Sequence, residues 1–208
     1  STDKGPLQWV LGAFFMDEKV PVTLLRDNNN VRDFVSSTST IITTAKNTTY
    51  SGFGQINYHF NDKLELVVGG RYSWDSQVYT RFAVPGAGFT LPFTSSISTN
   101  QLTGKVGVNY HLGRDGLLYV SASKGYKAGG VNLTPNTPNF MPERNFVYEA
   151  GFKTQFLDRH LRVNGDVFYS VYKDIQLSSL VGGLPVTQNA LGGHAKGAEL
   201  EVTGQFGA

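Results

Sequence analysis

The chain contains no cysteine, which removes a disulfide framework, a thiolate metal site and a cysteine nucleophile together. It has no run of about 18 apolar residues, so it encodes no transmembrane helix. Any bilayer-spanning structure would therefore be a β-barrel, the other arrangement that satisfies its backbone groups in lipid. Charge is sparse, at 16% of residues with a net +2, and no Lys/Arg-rich run marks a nucleic-acid partner. The first residues, STDKGPLQ, lack the basic start and apolar stretch of an export signal, so the start reads as an interior cut. Catalytic patterns are missing as well. His59, His111, His160 and His194 are isolated, without the spacing of a zinc site. SKGYKAGG (Ser123 to Gly130) lacks the order of a phosphate-binding loop, and no serine is framed as G-x-S-x-G. The reading is a protein that is no enzyme and has no cofactor or metal.

What the chain does have is 24 glycines, 12% aromatics and 40% hydrophobic residues, in segments that alternate with period two. Leu7 to Met16 is a continuous apolar run read as a strand. Asp17 to Thr48, rich in Asn, Ser and Thr, reads as a long loop. Tyr50, Ile56, Tyr58 and Phe60 share one face of the next strand, with Phe53 as the exception. Leu66, Val68, Tyr72 and Trp74 then oppose Glu65, Arg71, Ser73 and Asp75 in a segment from Leu64 to about Arg81. At roughly 3.3 Å per residue this is about 60 Å, far more than a bilayer crossing needs. A loop from Ala83 to Asn100 precedes a cleanly alternating strand, in which Leu102, Val106, Val108 and Tyr110 oppose Gln101, Thr103, Lys105 and Asn109. Further strands follow around Leu118 to Ala122, Tyr148 to Phe156, Leu161 to Gln176 and His194 to Phe206. A Gly/Leu loop runs to about Leu191. The count is about eight.

The connections alternate short and long. NDK (Asn61 to Lys63), GRDG (Gly113 to Gly116) and LDRH (Leu157 to His160) are tight turns, whereas the four intervening segments are each about 14 residues or longer. Short turns at one end and long loops at the other are the habit of outer-membrane barrels, and a soluble sandwich has less reason to sort its loops this way.

SKGYKAGGVN, the pair Pro142-Glu143 and YEAGFK (Tyr148 to Lys153), followed by LRVNGDVFYSVYKDIQ (Leu161 to Gln176) and KGAELEV (Lys196 to Val202), resemble successive strands of the C-terminal half of the barrel of TonB-dependent outer-membrane receptors. Each piece alone is weak, and the ordered series from about Trp9 to Phe206 carries the likeness. The resemblance implies an all-β, antiparallel, up-and-down transmembrane segment of about eight strands. It would be an open part of a 22-stranded barrel that an N-terminal plug domain fills. Residues 1–208 show no plug-like region and no recognisable closing strand after Phe206, so they read as a partial barrel domain. The whole protein would sit in the bacterial outer membrane, in contact with its lipid. It would bind an extracellular small molecule, most often a ferric siderophore, and import it with energy relayed by TonB through the missing plug. Two alternatives remain open: a passive porin or small stand-alone barrel, and a soluble carbohydrate-binding β-sandwich. The substrate is not legible.

Three expectations follow from this reading. Asp62, Asp115 and Asp158 should mark one end of the sheet. Leu66, Val68, Val106, Val108, Phe152, Val167 and Val202 should face lipid, whereas Arg71, Lys105, Glu149, Asp166, Asp174 and Glu201 face inward, bracing one another across strands more than lining a path. The first and last strands should be unpaired with each other. Trp9, Tyr72, Trp74, Tyr110, Tyr126 and Tyr169 are candidates for aromatic girdles. Phe89, Phe93 and Phe140 read as packed within loops. The candidates for the lumen or its rim are Arg71, Lys105, Lys124, Tyr126, Lys127, Glu143 and Glu149.

Overall fold

The computed structural model describes residues 5–30, 35–83, 92–132, 137–181 and 184–205. They form one antiparallel sheet of eight strands: β1 (Leu7–Asn30), β2 (Val35–His59), β3 (Leu64–Ala83), β4 (Phe93–His111), β5 (Gly116–Lys127), β6 (Glu143–Phe156), β7 (Leu161–Val181) and β8 (Leu184–Gly204). The spatial order is the chain order, so β1 and β8 are the two edges, and they do not pair with each other among the described residues. The sheet is open, as expected.

Residues directly opposed in an antiparallel ladder share a face, so the register sorts the sequence into rows. Leu7, Tyr58, Leu66, Val108, Val120, Ala150, Val167 and Ala198 form one row across all eight strands. One residue along, His59, Glu65, Asn109, Tyr119, Gly151, Asp166 and Glu199 form a row on the opposite face. Val106 and Val167 are 48% and 57% exposed, whereas Glu65 is 8% and Ser73 0% exposed. In a single-layer sheet the more occluded face is the concave one, so polar residues line the inside of the curve and apolar residues its convex outside. All seven residues expected to face lipid lie on the convex rows. Among the described residues the buried apolar side chains are only Tyr79, Val131 and Val186. That is no core for two packed sheets, and the sandwich alternative fails here.

The three short turns lie side by side at one end. His111 N–H donates to Lys63 O at 2.7 Å, Gln155 N–H to Asp115 O at 2.8 Å and Gln205 N–H to His160 O at 2.8 Å. Asp115 also accepts from Arg159 Nε at 2.9 Å. The LDRH turn holds Leu157, Asp158 and Arg159 successively at positive φ, of 53°, 52° and 72°, a region that costs L-residues energy.

Two of the expected long loops are strand. Asp17 to Thr48 is a hairpin paired residue by residue up to Asn30 opposite Val35, and β7 and β8 continue to Val181 opposite Leu184. β4 likewise starts at Phe93, inside the expected Ala83 to Asn100 loop. These extensions carry Thr, Ser, Val and Ile, which favour strands, but they have no apolar face, so hydrophobic periodicity cannot reveal them. The convex face shows where this change begins. Phe15, Tyr50 and Trp74 make one aromatic row, and two residues further along, Asp17, Thr48, Ser76 and Ser98 make a polar one. Thr48 donates to Asp17 at 2.7 Å, and Lys46 Nζ is 3.5 Å from the same carboxylate, which holds its carboxyl below the usual range. The contribution of that contact is present at neutral pH and is lost on acidification through the lowered value, because protonation in the folded state is then disfavoured. Amide exchange at the β1–β2 extension is therefore expected to quicken at low pH, and Asp17→Asn is expected to remove that acceleration.

Candidate ligand-facing surface

The connection between β5 and β6, Ala128 to Pro142, stays irregular, and it is pinned on both sides. The ladder between β4 and β5 ends at Gly104 opposite Lys124, while β5 remains paired with β6 as far as Lys127 opposite Glu143. Freed from β4, the end of this hairpin reaches the concave face of β3. Tyr126 Oη donates to Asp75 at 2.6 Å, and Val131 N–H donates to Gln77 Oε1 at 2.8 Å. Gln77 in turn donates to Asn47 on β2, and Thr49 to Asp75. On the other flank Asn132 behaves as an extra backbone unit against β8. Its side chain donates to Thr187 O and accepts from Thr187 N–H, both at 2.8 Å, and also donates to Pro138 O at 2.7 Å. Asn189 does the same for Met141, at 2.7 and 2.9 Å. Gln176 donates to Ala128 O and Met141 O.

Glycine is required where the loop doubles back. Gly130 and Phe140 exchange two backbone hydrogen bonds of 3.0 Å. A Cβ on Gly129 would stand 2.6 Å from Phe140 O, and one on Gly130 would stand 2.5 Å from the Phe140 ring. Phe140 is thus loop packing, as expected. Phe93 starts β4 and takes the Arg81 guanidinium over its ring at 4.4 Å, while Phe89 lies outside the described residues. Asn132 is 4% exposed, so Asn132→Ala strands buried backbone groups of the loop and β8. A loss of about 1–3 kcal/mol in local stability is expected, measured by hydrogen exchange at Thr187.

The expected site residues are distributed along this concave surface and do not converge. Arg71 donates from Nε to Ser73 at 3.0 Å and lies 5.3 and 5.8 Å from the Phe14 and Phe53 rings, which explains why Phe53 breaks the pattern of its strand. Glu149 accepts from Tyr119 Oη at 2.6 Å, and Lys153 lies 5.7 Å from the Tyr119 ring. Glu143 accepts from Gln176 N–H at 2.9 Å. Glu65 is shared by Asn57 and Asn109, with His59 and His111 each at 3.7 Å. These contacts brace strands. Lys105 and Lys127 are exposed on concave rows, and neither has an ion pair among the described residues. Lys124 stands on a convex row beside Phe146, at the rim and not in the lumen.

Two expectations are corrected. Tyr126 is not a girdle residue, because its hydroxyl is taken by Asp75 where β5 leaves β4. Asp174 is not part of the inward row. The register passes from Lys173 opposite Gly192 to Ile175 opposite Ala190, leaving Asp174 in a bulge at φ 57°, paired with Arg144. Bulges of this kind re-aim a side chain. Asn132, Asn189, Gln176 and Gln77 were not anticipated. Apart from Asn132, the last residue of the GGVN motif, nothing local in the sequence marks them, since their partners lie on other strands.

Under the loop, a notch of about 250 Å³ is lined by Asn47, Thr49, Asp75, Gln77, Ala128 and Gly129, among others. Pockets that enclose a small ligand are commonly about 300–1,000 Å³, so this notch can take an edge of a larger molecule, not the whole of one. Residues 4–208 match the family described as TonB dependent receptor-like, beta-barrel. The chain belongs to that family. It is 29% identical over 174 residues to the pesticin receptor of Yersinia enterocolitica, covering 81% of this chain and 25% of the receptor, and likewise to that of Yersinia pestis. The chain thus spans about a quarter of the length of these curated relatives. Its fold superimposes on the ferric yersiniabactin uptake receptor FyuA of Yersinia pestis with a TM-score of 0.79 at 21% identity, covering 100% of this chain and 31% of FyuA. The siderophore receptor PiuA of Acinetobacter baumannii gives 0.72 at 16% identity, covering 99% and 34%. The family places the chain in the bacterial outer membrane, and its members are receptors and transporters, not enzymes.

Proposed function

We propose that the chain is part of the barrel wall of an active importer that takes up a scarce nutrient, a ferric siderophore above all, with energy relayed by TonB through a plug domain. The observation that carries this reading is the pinned Ala128 to Pro142 connection on a concave polar face, in a sheet whose two edges are both unpaired. Unpaired edges in lipid would cost several kcal/mol for each backbone group, so further strands are the natural neighbours of β1 and β8. Relatives that are siderophore and ferric-chelate receptors support the substrate class. The chemistry assigned here is recognition without bond-making. Lys105 and Lys127, without carboxylate partners, offer positive charge to an anionic chelate, and the notch beside Gly129 offers it an edge.

Uptake of radioactive iron by cells expressing the complete polypeptide tests this reading, with a panel of catecholate, hydroxamate and phenolate chelates. At least one should enter only when TonB is present. Equal entry of small sugars with and without TonB would favour the passive porin. Charge reversal of Lys105 and Lys127 together is expected to slow chelate association about tenfold at low salt, since charged clefts focus ligand encounter.

A further inference from the structure

The convex face is apolar over β1 to β4, but on β5 to β8 it carries cations at its upper boundary. Lys124 and Lys173 both approach the Phe146 ring, at 5.8 and 5.5 Å. Lys196 stands opposite Tyr169, which itself stands opposite Tyr148. None of the three lysines has an ion pair among the described residues, and the nearby carboxylate of Asp174 is taken by Arg144. The stretches from Gly116 to Lys124 and from Lys196 to Gly204 match the roughly 9–11 residues of a bilayer crossing, so the ammonium groups emerge at headgroup level. On β1 to β3 the corresponding boundary is self-compensated, because Lys46 and Thr48 both engage Asp17. Below the lysines lie two shallow troughs that share Tyr148. One runs over Gly70, Gly104 and Val106 to Lys124, and the other over Val120, Ala150 and Val167 to Lys196.

We propose that the convex face of β5 to β8 holds a phosphate-bearing, multiply acylated lipid of the outer leaflet, its phosphates on Lys124, Lys173 and Lys196 and its acyl chains in the two troughs beside Tyr148. Lysines without carboxylate partners at an anionic surface attract phosphate, their stems lie along apolar surface, and aromatic rings seat at the same level. The site depends on membrane placement and strand register alone, and it stands whether or not the import reading does.

The test is native mass spectrometry of the complete polypeptide in mild detergent, with bis-phosphorylated lipid A as probe and its dephosphorylated form as control. The variant K124Q/K173Q/K196Q is expected to lose retention on the order of a hundredfold, about fivefold per lysine. K153Q, on the concave face, should retain lipid like the parent. Equal retention by the triple variant, equal binding of the dephosphorylated lipid, or an equal loss in K153Q would each overturn the proposal. Should the triple variant fail to insert, the parent and the three single variants decide. Parent retention must then fall between 50 and 500 mM salt, and at least two singles must weaken it. Salt-insensitive binding or unaffected singles sink the idea.

Discussion

Val68→Arg is expected to prevent stable insertion of the chain, whereas Thr103→Arg, on the neighbouring strand and the opposite face, is expected to leave it nearly intact. Val68 stands opposite Ile56 and Val106 on a convex row and is 43% exposed. It is four residues beyond the start of β3 at Leu64. At about 3.3 Å per residue along a strand tilted by about 40°, that brings it near the middle of an apolar band about 25 Å tall. An arginine at that depth costs about 2–4 kcal/mol, a penalty that fades towards either interface. Thr103 pairs with Arg71 on the concave side, where a cation remains in the wet interior. Folding into lipid vesicles, followed by heat-resistant migration in the complete polypeptide, measures the difference. Equal stability of the two variants would mean that the face assignment is wrong.

The same physics explains which parts of the structure could be read from the sequence. Rows such as Leu66, Val68, Val106 and Val108 announce themselves because lipid on one side and water on the other impose alternation on every strand. The short turns are legible too, through Asn61, Gly113 and Asp158. Beyond Trp74 and Tyr50 both faces meet polar surroundings, the alternation disappears, and strands such as Val35–Thr48 look like loop. The loop's anchors are harder still. Asn189 and Gln176 are ordinary polar residues of β8 and β7 until the fold brings Met141 and Ala128 to them. Asp174 looked inward because strict alternation was assumed, and a single bulge re-aims it towards Arg144. Tyr126 looked like a girdle residue for a related reason, since its strand leaves β4 after Lys124. Residues whose role depends on one medium per face were legible, and those whose role depends on a long-range partner were not.

Gly129→Val is expected to release the whole Ala128 to Pro142 connection from the concave face while leaving the sheet below it folded. The added Cβ would meet Phe140 O at 2.6 Å, Met141 C at 3.1 Å and the Pro142 ring at 3.1 Å. Two of these are backbone atoms and the third belongs to a rigid ring, so no flexible side chain can move aside. Relief requires the Gly130 and Phe140 strands to part, with loss of their paired 3.0 Å hydrogen bonds. It also pulls Val131 from Gln77 and Asn132 from Thr187. Each such bond contributes about 0.5–1.5 kcal/mol net, so about 2–4 kcal/mol of local stability should disappear. Amide exchange at Val131 and Thr187 should rise by at least about thirtyfold, and proteases should gain a cut between Ala128 and Pro142. Exchange at Val106 and Val120, in the ladder below, should stay unchanged. Gly125→Ala provides the comparison, because a Cβ there meets no atom within 4 Å, and it should leave the loop protected. If Gly129→Val exchanges no faster than the parent, the close approach to Phe140 does not hold the loop. If it reduces chelate uptake in cells while Gly125→Ala does not, the pinned loop is part of the recognition surface.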